Sequence, residues 1–304
     1  MKINIKYLRI SPLIFTFIIL LYNPIINFAQ DGQKTKTKVR PTVGLVLSGG
    51  GAKGFAYIGL LKVIHEAGLP LDYIGGTSIG SIMGGLYALG YHPDTIETMI
   101  RSIDWDALLA DKIERKYISF EEKEFGEKFI ITLPVKNKSV ILSPSLYQGQ
   151  EIELLLNRYF SPAFSIKDFD RLPTPFLCMG TDLFTGAEVV LDSGYLPKAI
   201  RASMSIPGYF SPVDYGSYFL GDGGVVNNYP VKEVKERGID IMIGGDVQPP
   251  LRTTREEFNS LTDVVDQIIT FNRGSANQIG RELTDIYVPL NTRYGIMDFA
   301  EYDS

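Results

Sequence analysis

The sequence predicts an α/β fold with a largely parallel central sheet and helices on both of its faces. Short apolar segments rich in β-branched residues, such as residues 42–47, alternate with longer segments whose apolar residues recur at helical spacing. Parallel strands need crossover connections, and helices in those connections pack against the sheet, so this alternation is typical of the class. We find no internal repeat and predict one domain over residues 41–290.

The predicted elements follow in chain order. The strand 42–47 enters a glycine-rich loop, a helix then ends at Gly68, and a strand at residues 73–74 turns sharply into a helix closed by Gly90. Residues 104–148 are irregular and are interpreted as an inserted hairpin or flap. The later elements are a helix at 149–160, strands at 176–182 and 188–191, a helix from Pro197, a strand at 217–220, a helix at 231–238, a strand at 239–247, a helix opened by the capping box of Thr254 and Glu257, and a strand at 285–290, before a tail at 291–304.

Composition and charge exclude several classes of function. The chain has 304 residues, of which 45% are hydrophobic and 21% charged, which is ordinary for a globular protein with a large core. A net charge of −5 gives no indication of a nucleic-acid partner. The single cysteine, Cys178, rules out an internal disulfide or a cysteine-rich metal site, and we expect its side chain to fill the core.

The first 29 residues have the layout of a secretory signal peptide. Basic residues precede the apolar run 13–21, Pro24 follows it, and Ala29 provides a small residue for cleavage. The run is short for a membrane span, which needs about 20 residues, so a cleaved peptide is favoured over an uncleaved anchor. Residues 30–40 are polar and lysine-rich and are predicted to be a linker. The pattern indicates an exported protein, either periplasmic, associated with the outer membrane or secreted.

A G-x-S-x-G turn, Gly76 to Gly80, lies between a predicted strand and a predicted helix. Such a nucleophile elbow forces its serine, here Ser78, into a strained conformation with the side chain standing free. Glycines two positions before and after leave room for the crowded backbone, and the helix beneath contributes free N–H groups. The motif alone is common, and a tight strand-to-helix turn without chemistry is the open alternative.

Two further loops are expected at the same edge of the sheet. Gly49, Gly50 and Gly51 follow the first strand, and consecutive glycines allow backbone N–H groups to point at a developing oxyanion. Asp222 follows a later strand and is flanked by glycines. Because His65 and His92 both lie away from strand ends, Asp222 is the better candidate for the base, although a turn aspartate is the open alternative.

Four blocks together resemble the patatin-like phospholipase family. They are Gly49-Gly50-Gly51-Ala52-Lys53-Gly54, Gly76-Thr77-Ser78-Ile79-Gly80, Ala202-Ser203-x-x-x-Pro207 and Asp222-Gly223-Gly224, and their order and spacing agree with the family over residues 43–247. The resemblance implies a three-layer α/β/α fold that hydrolyses acyl esters of lipids through a Ser–Asp dyad. It also implies that neither histidine, calcium nor another cofactor takes part, and that the partners are a phospholipid or other acyl-ester lipid and the membrane surface.

By position, the resemblance assigns roles to individual residues. Ser78 is the nucleophile and Asp222 the base, and the N–H groups of Gly49, Gly50, Gly51 and Ile79 form the oxyanion hole. Lys53 stands where the family often has arginine, and loses the planar fork of that side chain. Supporting roles fall to Lys53, Gly76, Gly80, Gly223 and Gly224, whereas Ser203 and Pro207 are expected to shape the wall near Asp222.

The irregular residues 104–148 are a candidate gate for lipid entering from a membrane. Aromatic side chains favour the lipid interface, and this segment is rich in them. The open alternative is that its apolar side chains pack beneath the flap as a small core. The side chains concerned are Trp105, Leu108, Leu109, Phe120, Phe125, Phe129 and Ile130.

Three other functions compete with this reading. The spacing Gly49-x-Gly51-x-x-Gly54 also fits a dinucleotide-binding fold, but Asp72 begins the second strand, whereas a ribose-binding acid should end it. An esterase or thioesterase for soluble substrates, and a non-catalytic lipid-binding module, both remain open. The signal peptide resembles a bacterial subgroup in which a membrane barrel follows; whether this chain is a truncated form or a free-standing enzyme is open, as is its oligomeric state.

Overall fold

The computed structural model describes residues 40–111, 135–136, 139–140, 145–248, 250–258, 261–292, 294–296 and 298–299. The predicted signal peptide, the linker up to residue 39, and the gate residues Phe120, Phe125, Phe129 and Ile130 lie outside the described residues. From Pro41 onward the described residues belong to one compact unit. No helix among them is both long and apolar enough to cross a bilayer.

One sheet carries the site, and most of its strands are parallel. Hydrogen bonds join its strands in the order β10-β9-β1-β2-β5-β8-β7, and β6 also pairs with β5. The run from β10 to β5 is parallel, whereas β6, β7 and β8 are antiparallel to their neighbours. The strands are β1 (Val43–Leu47), β2 (Tyr73–Gly76), β3 (Val135–Lys136), β4 (Ser139–Val140), β5 (Phe176–Asp182), β6 (Glu188–Leu191), β7 (Val213–Tyr215), β8 (Tyr218–Asp222), β9 (Ile241–Asp246) and β10 (Ile286–Pro289), with β3 and β4 forming a separate pair.

Helices cover both faces of this sheet. They are α1 (Tyr57–Glu66), α2 (Ile79–Ala88), α3 (Pro93–Arg101), α4 (Trp105–Leu109), α5 (Gln150–Tyr159), α6 (Leu196–Ser203), α7 (Val231–Lys235), α8 (Leu261–Asn272) and α9 (Gly274–Glu282). Successive strand side chains point to opposite faces: Leu45 and Leu47 pack in the core that contains α2, whereas Val46 packs with Val231 and Val234 of α7. The predicted three-layer α/β/α fold with a largely parallel sheet is therefore confirmed.

Small residues let α2 approach the sheet closely. Nearly every side chain of this helix is buried, which is typical of a helix enclosed on all sides. A Cβ atom added at Gly84 would lie 3.0 Å from Ile74 on β2, and one added at Gly85 would lie 3.0 Å from the ring of Phe160. Larger residues would push the helix away from the strand that precedes it, and with it the turn that holds Ser78.

The structure corrects two local expectations. Thr254 and Glu257 do form both bonds of a capping box, but the box opens the short 3₁₀ turn Arg255–Glu257, and α8 begins only at Leu261. Trp105 and Leu109, named as gate residues, lie on α4 and are buried. The Trp105 ring stacks on Phe299 with centroids 5.0 Å apart, so its aromatic surface is already covered by protein. For these two residues the packing alternative is correct.

Candidate active site

The backbone of Ser78 has the strained geometry expected of a nucleophile elbow. Its φ of 53° and ψ of −123° lie in a region that non-glycine residues rarely adopt. A Cβ atom at Gly76 would collide with the carbonyl of Gly80, and one at Gly80 would collide with the carbonyl of Leu47. Both glycines are thus required by the close approach of three backbone segments, which is the steric role predicted for them.

Several hydrogen bonds hold the elbow in this conformation. The Ser78 N–H donates to the hydroxyl of Ser203 at the end of α6, with N and Oγ 3.0 Å apart. The Ser81 hydroxyl donates to the Ser78 carbonyl at 2.6 Å, and the Thr77 hydroxyl donates to the carbonyl of Asn227 at 3.1 Å. Bonds to α6 and to the segment after β8 therefore hold the strained serine in place.

Pairing along β5 brings Asp222 to the elbow. Cys178 pairs with Gly76 of β2 and Leu191 of β6, while Gly180 pairs with Val189 of β6 and Asp222 of β8. A strand residue has one partner on each side, so β2 and β8 must share the edge of β5 opposite β6. Their ends face each other, about 7 Å apart along the strand. The turn after Gly76 therefore places Ser78 beside Asp222.

Asp222 is buried beside the nucleophile, and its carboxyl accepts a hydrogen bond from the backbone of its own turn. One carboxylate oxygen accepts the Gly224 N–H at 2.6 Å, and the Ser78 side chain lies near enough to favour the charged form of the carboxyl. Burial raises the pKa of Asp222 from its ordinary value to about 6, while the bond from Gly224, the nearby Ser78 side chain and the charge of Arg273 act in the opposite direction. A carboxylate with this pKa can accept a proton near neutral pH more readily than an exposed one.

The glycine loop presents backbone donors next to the serine. Gly49 lies close enough that an added Cβ would be 3.1 Å from the Cβ of Ser78. Its own N–H donates to the carbonyl of Asn228 at 3.3 Å. Within the described part of the chain, the N–H groups of Gly50, Gly51 and Ile79 have no hydrogen-bond acceptor. Of the four predicted donors, these three are not used by the described residues, whereas the Gly49 N–H is.

A buried polar network supports the glycine loop from below. The Ser48 hydroxyl donates to Asp246 at 3.0 Å and lies 3.0 Å from the hydroxyl of Tyr57. Asp246, at the end of β9, also accepts bonds from Arg281 at 2.8 Å and from Tyr287 at 2.9 Å. The network links the ends of β1 and β9 to α9, so hydrogen bonds fix the strand end from which the glycine loop begins.

Sequence reasoning missed Asn228 and the contact that Ser203 makes with the elbow. Asn228 is buried, and its side-chain amide donates to the Gly49 carbonyl at 3.0 Å while its backbone carbonyl accepts from the Gly49 N–H. It therefore connects the glycine loop to the segment that follows Asp222. Ser203 accepts the Ser78 N–H and so holds the elbow directly, which gives its predicted structural role a specific contact. Neither role has a spacing signal in the sequence, because both contacts join residues more than 100 positions apart.

The other predicted residues take varied positions. His65 lies exposed on α1, and His92 is the N-cap of α3, where its ring accepts the Asp94 N–H at 3.2 Å. Cys178 is fully buried in β5, and burial raises its pKa. Lys53 lies half-buried on the 3₁₀ turn Gly51–Ala56. In the described ranges there is no group of three or more acidic, histidine or cysteine side chains that could hold a metal ion.

A comparison with protein families decides the identification. The model of the family described as patatin-like phospholipase matches residues 45–235. The chain belongs to the patatin-like phospholipase family. This confirms the predicted family and, with it, the predicted class of enzyme, a lipid hydrolase.

Curated relatives of this patatin-like chain include proteins named lysophospholipase NTE1. The protein from Candida albicans is 33% identical over 205 residues, which are 67% of this chain and 13% of the relative. The protein from Pyricularia oryzae is 32% identical over 228 residues, 74% of this chain and 13% of the relative. The chain thus spans only a small part of the length of the relatives that it matches.

Solved structures similar to this chain include two bacterial proteins. VipD from Legionella pneumophila has 16% identity and a TM-score of 0.40, covering 71% of this chain and 52% of VipD. ExoU from the type III secretion system of Pseudomonas aeruginosa, in complex with SpcU, has 20% identity and a TM-score of 0.41, covering 80% of this chain and 51% of that one.

Proposed function

We propose that this protein hydrolyses acyl esters of lipids with Ser78 as nucleophile and Asp222 as base. The observation that carries the proposal is the register of β5, which places the strained Ser78 beside a buried carboxyl whose pKa is raised to about 6. A serine hydroxyl is a weak nucleophile unless a nearby group accepts its proton. Asp222 is that group, and the strained elbow holds Ser78 next to the glycine loop.

In the first half of the reaction, the Ser78 oxygen attacks the ester carbonyl while Asp222 takes the hydroxyl proton. The negative charge that develops on the carbonyl oxygen is stabilised by the N–H groups of Gly50, Gly51 and Ile79, none of which donates elsewhere among the described residues. Collapse of this intermediate breaks the ester bond. The protonated Asp222 returns its proton to the leaving alcohol, and the acyl group stays on Ser78.

In the second half, water replaces the alcohol and Asp222 acts again as the base. Water loses a proton to Asp222, attacks the acyl carbonyl and releases a fatty acid, while Ser78 recovers its proton. A carboxylate that is buried in apolar surroundings can serve both directions of this transfer, because its pKa lies close to the working pH. The mechanism uses no histidine and no metal.

The substrate we propose is a phospholipid or lysophospholipid at a membrane surface. The family description and the name of the fungal relatives both point to this class of lipid. The dyad itself would also hydrolyse a soluble ester, because Ser78 and Asp222 contact only the ester group. Hydrolysis of esters of increasing chain length therefore separates a lipase from a soluble esterase or thioesterase: activity that rises with chain length supports the lipid substrate.

The direct test compares products from vesicles incubated with purified wild-type protein and with Ser78→Ala. Mass spectrometry should detect free fatty acid and the deacylated lipid with the wild type. Replacement of a nucleophile typically lowers kcat by several orders of magnitude. His92→Ala serves as the matched control, because it changes an exposed polar side chain outside the site. Equal product from wild type and folded Ser78→Ala would contradict the proposal.

We also propose that the hydrolase is an exported domain of residues 41–290, made with a signal peptide of residues 1–29. The basic start, the short apolar run and Ala29 support this. Expression of the whole sequence in a bacterial host, followed by cell fractionation and N-terminal sequencing, tests it. A product that begins at Gln30 in the exported fraction is expected, whereas an intact N-terminus in the cytosol would contradict it.

A further inference from the structure

Arg273 is a buried cation that contacts the turn holding Asp222. It lies between α8 and α9, outside the residues matched by the family model, and only 8% of it is exposed. One terminal nitrogen donates to the carbonyl of Gly224 at 3.1 Å, and the other donates to the Thr270 hydroxyl at 3.0 Å. Thr270 of α8 thus holds the guanidinium on one side, and the turn after β8 accepts its bond on the other.

Gly224 joins this arginine to the catalytic carboxyl. Its N–H binds Asp222 at 2.6 Å, while its carbonyl accepts the bond from Arg273. An added Cβ at Gly224 would lie 2.9 Å from the Asp222 carboxylate, so the turn and the carboxyl are in close contact. Movement of the guanidinium would therefore move the donor that orients Asp222.

The other groups that face Asp222 are neutral. The elbow presents the Ser78 hydroxyl, and the 3₁₀ turn Gly223–Val225 after β8 presents the Gly224 N–H. Strand β5 contributes the Thr181 hydroxyl, which donates to the Asp222 carbonyl. The nearby cation of α6, Arg201, is directed to Ser205 and to the Gln148 carbonyl. Among the described residues, Arg273 is the charged side chain whose field acts on the Asp222 carboxyl.

We propose that Arg273 is a positioning residue of this site: its guanidinium fixes the turn that carries Asp222 and supplies the positive charge against which the carboxylate ionises. This inference rests on the proposed function of Ser78 and Asp222. Burial alone makes Asp222 a poor anion, and a base that stays protonated cannot accept the serine proton. The charge of Arg273 offsets part of the effect of burial on the ionisation of Asp222, and Arg273 does this without touching the substrate.

The predicted consequence is a change in the pH dependence of catalysis. Loss of a nearby positive charge raises the pKa of a carboxyl, by about 1 unit at the lower end of such effects. The acidic limb of kcat/KM should therefore move to higher pH. With a pKa that rises from about 6 to about 7, activity should fall roughly fivefold at pH 6 and about twofold at pH 7, and recover above pH 8.

The test measures kcat/KM for a soluble ester from about pH 4.5 to 9 with the wild type, Arg273→Gln, Arg273→Lys and Asn272→Ala. Asn272 is the matched control, because its amide donates to the Val225 carbonyl of the same turn at 2.9 Å but carries no charge. We expect the acidic limb of kcat/KM to move to higher pH in Arg273→Gln. In Arg273→Lys and in Asn272→Ala it should stay near its wild-type pH.

Two outcomes overturn the inference. One is an unmoved acidic limb in folded Arg273→Gln, and the other is an equal upward movement in Asn272→Ala, which would mean that any loosening of the turn suffices. If Arg273→Gln does not fold, the pH profiles of kcat/KM for Arg273→Lys and Thr270→Val are compared instead. If the acidic limb stays at the wild-type pH in both variants, the orientation of the guanidinium by Thr270 has no effect, and the inference is contradicted. Failure of the proposed function is distinguished by Ser78→Ala, which would then hydrolyse the ester as the wild type does.

Discussion

Asp222→Asn should abolish hydrolysis and at the same time stabilise the folded protein at neutral pH. An amide cannot accept the Ser78 proton, so the base is lost. The same amide removes a buried charge, while its oxygen can still accept the Gly224 N–H that now binds the carboxylate. Asp222 is only 7% exposed, so its carboxyl gains little solvation from water when it ionises.

The size of the stabilisation follows from the pKa of Asp222. A pKa raised from 3.8 to about 6 means that ionising this group costs about 3 kcal/mol more in the folded protein than in the unfolded chain. Because the folded pKa is the higher one, the wild type bears little cost from Asp222 below about pH 4, where this group is largely protonated in both states. It loses about 3 kcal/mol as the pH rises through about 6. The asparagine of the variant does not titrate, so the advantage of Asp222→Asn appears over this window.

Thermal unfolding of the wild type and of Asp222→Asn at about pH 4 and pH 7.5 measures the difference. At the higher pH the variant should melt about 6 °C above the wild type, since 1 kcal/mol corresponds to about 2 °C in a domain of this size. At the lower pH the two should agree. Asp214→Asn is the control, because Asp214 is exposed on β7 and its replacement should change stability little at either pH. An advantage that is absent at pH 7.5, or equal at both pH values, would refute the reasoning.

Four other substitutions test the elbow and the histidines, with Gly59→Ala as a control. Gly76→Ala should lower the free energy of unfolding by about 3 kcal/mol or more, because its Cβ collides with backbone; Gly59→Ala, on the open face of α1, should raise it by about 0.5 to 1 kcal/mol in the same melts. Ser203→Ala leaves a buried N–H without its acceptor and should cost about 1 to 3 kcal/mol, with a fall in kcat larger than any rise in KM. His65→Ala and His92→Ala should each keep ester hydrolysis within about twofold, and a loss as large as that of Ser78→Ala would indicate a triad.

Much of the site could be predicted from the sequence because its strongest constraints are local. A strand that turns into a helix within three residues needs glycines on both sides of the serine, and the structure shows the backbone collisions that require Gly76 and Gly80. The alternation of strands and helices likewise depends on neighbours in the chain, and the parallel run of the sheet agrees with it. Local rules were less reliable at Thr254, where a correct capping box opens only one short turn.

The relation between Ser78 and Asp222 was decided by tertiary structure. Residue types suggested a nucleophile and a base, but their meeting depends on β8 running antiparallel along the edge of β5 that β2 also uses. Strand register is a property of long-range pairing, and no local pattern encodes it. The raised pKa of Asp222 has the same origin, because desolvation is caused by elements that pack around the carboxyl from distant parts of the chain.

By itself, the sequence determined the fold class, the elbow, the glycine loop and the family, since each depends on residue types at short spacing. Only the tertiary structure showed that the Asn228 carbonyl accepts the Gly49 N–H, that Ser203 holds the elbow, and that Arg273 lies against the turn of Asp222. The physical reason is that a hydrogen bond between distant residues leaves no periodicity in the chain. Chain folding decides which donors are used and which stay free for a substrate.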